Sequence, residues 1–264
     1  MAGKVLTVTS GKGGVGKTTI SANLGAALAL SGNKVVCIDA DIGLRNLDVV
    51  MGLENRIVYD LVDIVEGRCR LRQAMIRDKR TTGLFLIPAA QTRDKTAVSP
   101  SDMIKLCDEL RKDYDWIIVD SPAGIERGFR NAIAPADIVL VVTNPEISAV
   151  RDADRIIGIV EAEEKGPAQL IINRIDHAMV KRGDMINQND IVDLLAIDLL
   201  GIIPEDDKVI ISTNQGLPIV LNSKSLAGTA LRNISHRIMG EDIPLLNLTD
   251  KKGFFSKLFS GGGN

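Results

Sequence analysis

The chain predicts an α/β fold, a mostly parallel twisted sheet with helices on both faces. Three observations carry that reading. Short apolar, β-branched runs alternate with segments of helical periodicity along the chain. The composition is 45% hydrophobic but only 3% aromatic, an aliphatic bias suited to strands buried on both faces. A glycine-rich turn joins the first apolar run to the first helical segment.

Lys4 to Thr9 (KVLTVT) reads as a buried strand. Ile20, Leu24, Ala27 and Leu28 then recur at helical spacing, and the helix stops at Ser31-Gly32-Asn33. Further strands are expected over 34–39, 84–88, 116–120, 138–143, 169–173 and 200–203, with a short one at 218–221. The clearest later helices span 148–163 and 226–239. At 264 residues the chain fits a single α/β unit, with no internal repeat and no dividing linker. The expected organisation is one domain over 1–248 and a terminal segment over 249–264.

The formal net charge of −2 gives no global case for nucleic-acid binding. Cys37, Cys69 and Cys107 are odd in number and lack metal-type spacing. Cys37 lies in an apolar run and reads as a small hydrophobe. His177 and His236 lie far apart, which argues against zinc. No secretory signal opens the chain and no apolar run reaches transmembrane length, so a cytoplasmic, reduced protein is expected.

The turn itself carries the most chemistry. Gly11-Lys12-Gly13-Gly14-Val15-Gly16-Lys17-Thr18 fits the pattern glycine, four residues, Gly-Lys-Thr, and Thr19 continues it. Glycines let successive backbone N–H groups point inward around phosphate oxygens. Lys17 can reach the β- and γ-phosphates, and the Thr18 hydroxyl can ligate Mg²⁺. The helix that follows adds its positive end. A glycine-rich turn without a ligand is the plain alternative, and the strand–loop–helix setting argues against it.

In open α/β sheets ligands bind outside the carboxyl ends of the strands. Two of those ends carry acids: Asp39-Ala40-Asp41, and Asp120-Ser121-Pro122-Ala123-Gly124. Magnesium keeps several waters, which carboxylates commonly hold, so Asp39 and Asp120 are the candidates for that role. Asp41 lies farther out and can orient an attacking water. Ordinary turn chemistry accounts for a lone aspartate; two acids beside a phosphate loop favour the site. Gly124 offers a backbone N–H to a γ-phosphate, as a switch. Asn173-Arg174 offers an amide for adenine, and Pro204 and Asp206 a wall for the base, with a plain loop as the alternative for each.

Lys12 to Thr18 resembles the deviant phosphate loop of the MinD/ParA ATPases. The likeness continues through Asp39-Ala-Asp-Ile-Gly-Leu-Arg-Asn-Leu-Asp48, Gln91-Thr-Arg-Asp-Lys95, Asp120-Ser-Pro-Ala-Gly-Ile-Glu126 and Thr143-Asn-Pro-Glu146. It also takes in Ser148 to Asp154, Lys181-Arg-Gly-Asp-Met185, Ile203-Pro-Glu-Asp206 and Asn214-Gln-Gly216, and so covers essentially the whole chain.

The resemblance implies an ATP-dependent homodimer that cycles between ATP and ADP with Mg²⁺. Two nucleotides would be sandwiched at its interface. Lys12 would neutralise charge on the partner's ATP, as an arginine finger does in trans. Asp41 would orient the hydrolytic water, Asn46 would sit in the first switch, and Ser148, Arg151, Asp152 and Asp154 would form part of a partner-binding face. The implied function is a membrane-cycling ATPase that helps position the division site. Its partners would be a septum inhibitor, MinC, and an activator, MinE or a topological factor. A ParA-type DNA-partitioning ATPase and a regulator of flagellar number share the loop. An iron–sulfur carrier on the same fold is opposed by the cysteine spacing.

The terminal segment adds a second signal. Phe254, Phe255, Leu258 and Phe259 fall on one side of a helix, flanked by Lys251, Lys252 and Lys257. That is the pattern of an interfacial amphipathic helix on anionic lipid, with Lys251 snorkelling. A short helix docked on the protein's own core is the alternative. One such tail is a weak anchor, and a dimer presents two at high effective concentration. The expected localisation is cytoplasmic and reversibly peripheral on the inner face of the cell membrane.

Overall fold

The computed structural model describes residues 2–94 and 96–246. β1 (Lys4–Thr9) leads through the glycine-rich turn into α1 (Lys17–Leu30) and β2 (Val35–Asp39). Then come α2 (Leu47–Val50), α3 (Leu61–Val65), α4 (Leu71–Ala74), β3 (Ile76–Arg77) and β4 (Leu84–Ile87). The middle of the chain supplies α5 (Pro100–Leu110), β5 (Trp116–Asp120), α6 (Arg127–Ile133), β6 (Ile138–Thr143) and α7 (Ile147–Ala162). It closes with β7 (Ala168–Ile175), α8 (His177–Arg182), α9 (Gln188–Leu195), β8 (Asp198–Pro204), α10 (Asp207–Asn214) and α11 (Leu226–Ile238).

Among the described residues the strands form one sheet in the order β3-β4-β2-β5-β1-β6-β7-β8. All neighbours pair in parallel except β3 with β4. The expected mostly parallel sheet is therefore present, with a two-residue antiparallel edge too short to leave a periodic signal. The expected strand at 218–221 is instead a single 3₁₀ turn, Ile219–Leu221. Pro218 enters it, and Ile219 and Val220 are buried under α1 and α11 rather than paired in the sheet.

Strand alternation builds the core on both faces. In β2, Val35 and Cys37 pack among α1 residues, while Val36 and Ile38 pack among those of α5. A third cluster lies under α6, α7 and α9 and includes Phe129, one of the few buried aromatics. Local signals agree with the packing. Ser99 and Asp102 form a reciprocal capping box at the start of α5, with Pro100 in its first turn.

The connections leave β1 in opposite directions, toward β2 through β5 on one side and β6 through β8 on the other. Such a point opens a crevice at the carboxyl ends of the strands. The parallel register also brings Asp39 directly opposite Asp120 at that edge.

Candidate nucleotide site

The phosphate loop occupies that crevice. Gly14 and Gly16 have φ of +80° and +100°, conformations that a side chain would strain. Gly16 is also the N-cap of α1, so the loop feeds its amides directly into the helix N-terminus. The loop is braced from outside: Asn173 Nδ2 donates to the Val15 carbonyl at 2.7 Å. On the other flank, a Cβ at Gly11 would run into the backbone of Asp152 in α7.

Lys17 opens α1 and is buried, with 8% of its surface exposed. Burial pulls its ammonium below the ordinary lysine range, and the charges of Asp120 and Asp41 push back. Thr18 and Thr19 follow on the same helix. Asp120 ends β5 fully buried and accepts from Ser21 Oγ at 2.7 Å. Asp39 accepts from two backbone amides, Asp41 N at 2.9 Å and Leu47 N at 3.1 Å. It therefore shapes the acidic loop and starts α2, besides standing opposite Asp120 at the strand edge.

Burial holds both carboxyls above the usual carboxylate range, with the charge of Asp120 adding to Asp39 and that of Asp41 adding to Asp120. Two acids forced together in this way suit a cation. Among the described residues no three His, Cys, Asp or Glu groups converge as a ready metal cage. Such a donor set would suit a magnesium ion that keeps most of its waters, with the Thr18 hydroxyl as the expected protein ligand.

Beside the loop, a cavity of about 190 Å³ is lined by Gly16, Thr19, Asn173, Arg174, Pro204 and Asp206, together with apolar Ile20, Ile203, Val209 and Ile210. The residues assigned to the base thus converge. Asn173 does not end its strand as the sequence suggested, because β7 continues to Ile175 through an irregular register against β8. Asp206 caps α10, accepting from Lys208 N at 3.0 Å, and ties it to α11 by accepting from Ser225 Oγ at 2.7 Å.

The two residues expected to act as switches differ in their engagement. Asn46 is exposed and makes no side-chain cap to α2. Gly124, at φ +89°, donates its N–H to the Ser10 carbonyl at 3.1 Å, so meeting a phosphate requires it to leave that partner.

Lys12 lies on the rim. Its ammonium reaches Glu146 Oε2 at 2.9 Å and Ser148 Oγ at 3.1 Å, both at the start of α7 of the same chain, and its side chain is 41% exposed. Ser148, Arg151 and Asp154 are exposed on that helix and Asp152 is half-buried. Lys251, Lys252, Phe254, Phe255, Lys257, Leu258 and Phe259 lie outside the described residues. Among the described residues no helix is long and apolar enough to cross a membrane.

Sequence reasoning did not single out Ser21, Ser10 or Glu146 as site residues. Ser21 follows Thr18 by three residues, so helical spacing offered a signal. Glu146 meets Lys12 only through tertiary packing.

The CobQ/CobB/MinD/ParA nucleotide-binding domain model matches residues 6–219. The septum site-determining protein MinD of Bacillus subtilis (strain 168) is 56% identical over 98% of this chain and 97% of its own length. MinD in the Aquifex aeolicus MinC:MinD cell division complex superposes with a TM-score of 0.87 at 50% identity, covering 92% of this chain and 99% of that one. A septum site-determining protein from Pyrococcus horikoshii OT3, solved with Mg-ADP, gives 0.81 at 27% identity over 91% and 99%. The loop, the paired acids and the cavity lie together at the carboxyl edge of the sheet, and the chain belongs to the MinD proteins of the CobQ/CobB/MinD/ParA nucleotide-binding family.

Proposed function

We propose that this protein is a division-site ATPase that dimerises on ATP, binds the membrane through its terminal segment and recruits a MinC-type septum inhibitor. The pose of Lys12 carries the reading: a second loop lysine sits on the rim, held to Glu146 and Ser148 by contacts that can be exchanged. The loop amides and Lys17 bind the phosphates of one ATP. Thr18 would ligate magnesium, with Asp39 and Asp120 holding its waters, and the bound ion would offset the triphosphate charge. Asp41, half-buried at the mouth beside Lys17, orients the attacking water. Lys12 leaves Glu146 and Ser148 and reaches the nucleotide of a second copy, so that α7 changes its contacts when the dimer forms. Asn46 and Gly124 sense the γ-phosphate. The exposed side chains of α7 then serve the septum inhibitor and an activating partner such as MinE.

Sedimentation with vesicles of anionic lipid tests the cycle. The full chain should pellet with ATP and stay in solution with ADP, and a variant lacking residues 254–259 should stay in solution with both. Equal pelleting in every condition, or none in any, would sink the switch.

A further inference from the structure

Arg80 lies on the loop after β3, outside every motif that pointed to a nucleotide, yet its guanidinium ties together two walls of the site. Asp78, 1% exposed, sets the fork: Arg80 N and Nε donate to Asp78 Oδ1 at 2.7 and 3.2 Å, and Nη2 lies 3.1 Å from Oδ2. So oriented, Nη1 donates to the Gly216 carbonyl at 2.7 Å and Nη2 to the Met51 carbonyl. Met51 closes α2, whose first amide, Leu47 N, is held by Asp39. Gly216 follows α10, whose first turn lines the base cavity through Val209 and Ile210.

The two helix ends meet as closely as backbone allows. Gly52 and Gly216 both have φ of +61°. A Cβ on Gly52 would stand 2.6 Å from the Gly216 oxygen, and one on Gly216 would stand 2.6 Å from the Gly52 Cα. Only a planar cation with several fixed donors bridges two carbonyls while paired to a carboxylate. Lysine, a single ammonium on a flexible stem, cannot hold all three in that plane.

We propose that Arg80 is a positioning residue for nucleotide turnover, fixing the acidic-loop wall that carries Asp39 and Asp41 to the wall that receives the base. Occupation of the base cavity then sets the place of the carboxylates that serve the phosphates. The proposal rests on the ATPase reading above. Both of its anchor carbonyls lie at the ends of helices whose first turns adjoin Asp39 and the cavity, so a small rotation released at the clamp is delivered to the site. Misplacement of about 1 Å there is enough to slow chemistry by about a hundredfold.

Arg80→Lys is compared with wild type by thermal unfolding, Mg-ADP calorimetry, steady-state ATP turnover and amide hydrogen exchange, with Arg80→Ala beside it. The expected Arg80→Lys protein unfolds within a few degrees of wild type and binds ADP within about threefold, while kcat falls at least about tenfold and KM moves less than about threefold. Exchange over Leu47 to Met51 rises with ADP bound, a readout that needs no turnover. Millimolar guanidinium restores part of the turnover of Arg80→Ala if that variant folds. A folded Arg80→Lys with kcat within about twofold of wild type, a kcat lost only in step with ADP affinity, or unchanged exchange would each overturn the clamp. A wild type that hydrolyses no ATP would remove the ATPase reading instead, and the exchange result would still judge Arg80.

Discussion

Lys12 and Lys17 stand five residues apart in one loop, in opposite surroundings. Lys17 is buried at the head of α1 between Asp120 and Asp41, its charge opposed by desolvation. Lys12 is on the rim in an exposed pair with Glu146. An exposed pair of that kind contributes about 0–1 kcal/mol and is screened by salt. The difference teaches how one loop serves two ends. The Lys17 end is surrounded by Ser21, Asp120 and Asn173 of the same chain, whereas the Lys12 end is held by bonds cheap to exchange.

Replacing each lysine should break the comparison most sharply. Lys17→Ala removes the buried cation proposed to meet phosphate, and ADP affinity should fall at least about thirtyfold, since unpairing a buried charge costs about 2–5 kcal/mol. Lys12→Ala should leave ADP affinity within about threefold, the scale of an exposed pair. Its loss should appear only with ATP, as failure to dimerise in sedimentation velocity. Equal losses of ADP affinity in both variants would erase the distinction.

Asn173 sharpens the comparison from the side of the cavity. Its amide holds the Val15 carbonyl inside the protein. Asn173→Ala leaves that carbonyl without its donor, at a cost of about 1–3 kcal/mol. Mg-ADP affinity measured by calorimetry should therefore weaken about tenfold, between the two lysine variants. Glu146→Gln, which loosens only the rim, should leave it unchanged. If Asn173→Ala binds ADP as wild type does, the brace holds nothing that matters to the phosphates.

The contrast also marks what was legible in the sequence. The phosphate loop, α1 and the acids at Asp39 and Asp120 are local: each sits within a few residues of a strand end, where apolar periodicity and turn chemistry place it. The convergence of Asn173, Pro204 and Asp206 follows from strands in a known order, so spacing hinted at it and topology completed it. What escaped was either too short or too distant. β3 has two residues, and the 3₁₀ turn at Ile219 imitates a strand because both are apolar and buried. Glu146 lies 134 residues from Lys12, and Arg80 lies 136 from Gly216. No periodicity reports a contact made across that separation by a single side chain.

The smallest effect tests whether the Lys17 end of the loop is built against its own charge. Burial holds Asp39 and Asp120 above the ordinary carboxylate range in the folded chain, and unfolding returns them to about 4. The folded state therefore binds protons more tightly than the unfolded state. The stability linked to this pair is full below about pH 4 and is lost as pH rises through the raised folded values. One proton of difference changes stability by about 1.4 kcal/mol per pH unit. A chain of this size moves about 2–4 °C per kcal/mol. Nucleotide-free wild type should accordingly unfold a few degrees lower at pH 7 than at pH 6. Asp120→Asn removes one of the two charges and should flatten that slope, because Asp39 loses the neighbour that opposes its ionisation. Mg-ADP should flatten it in wild type by supplying the missing positive charge. A slope equally steep in Asp120→Asn would mean that the pH dependence arises elsewhere, and that the acids at the Lys17 end are settled without the ion.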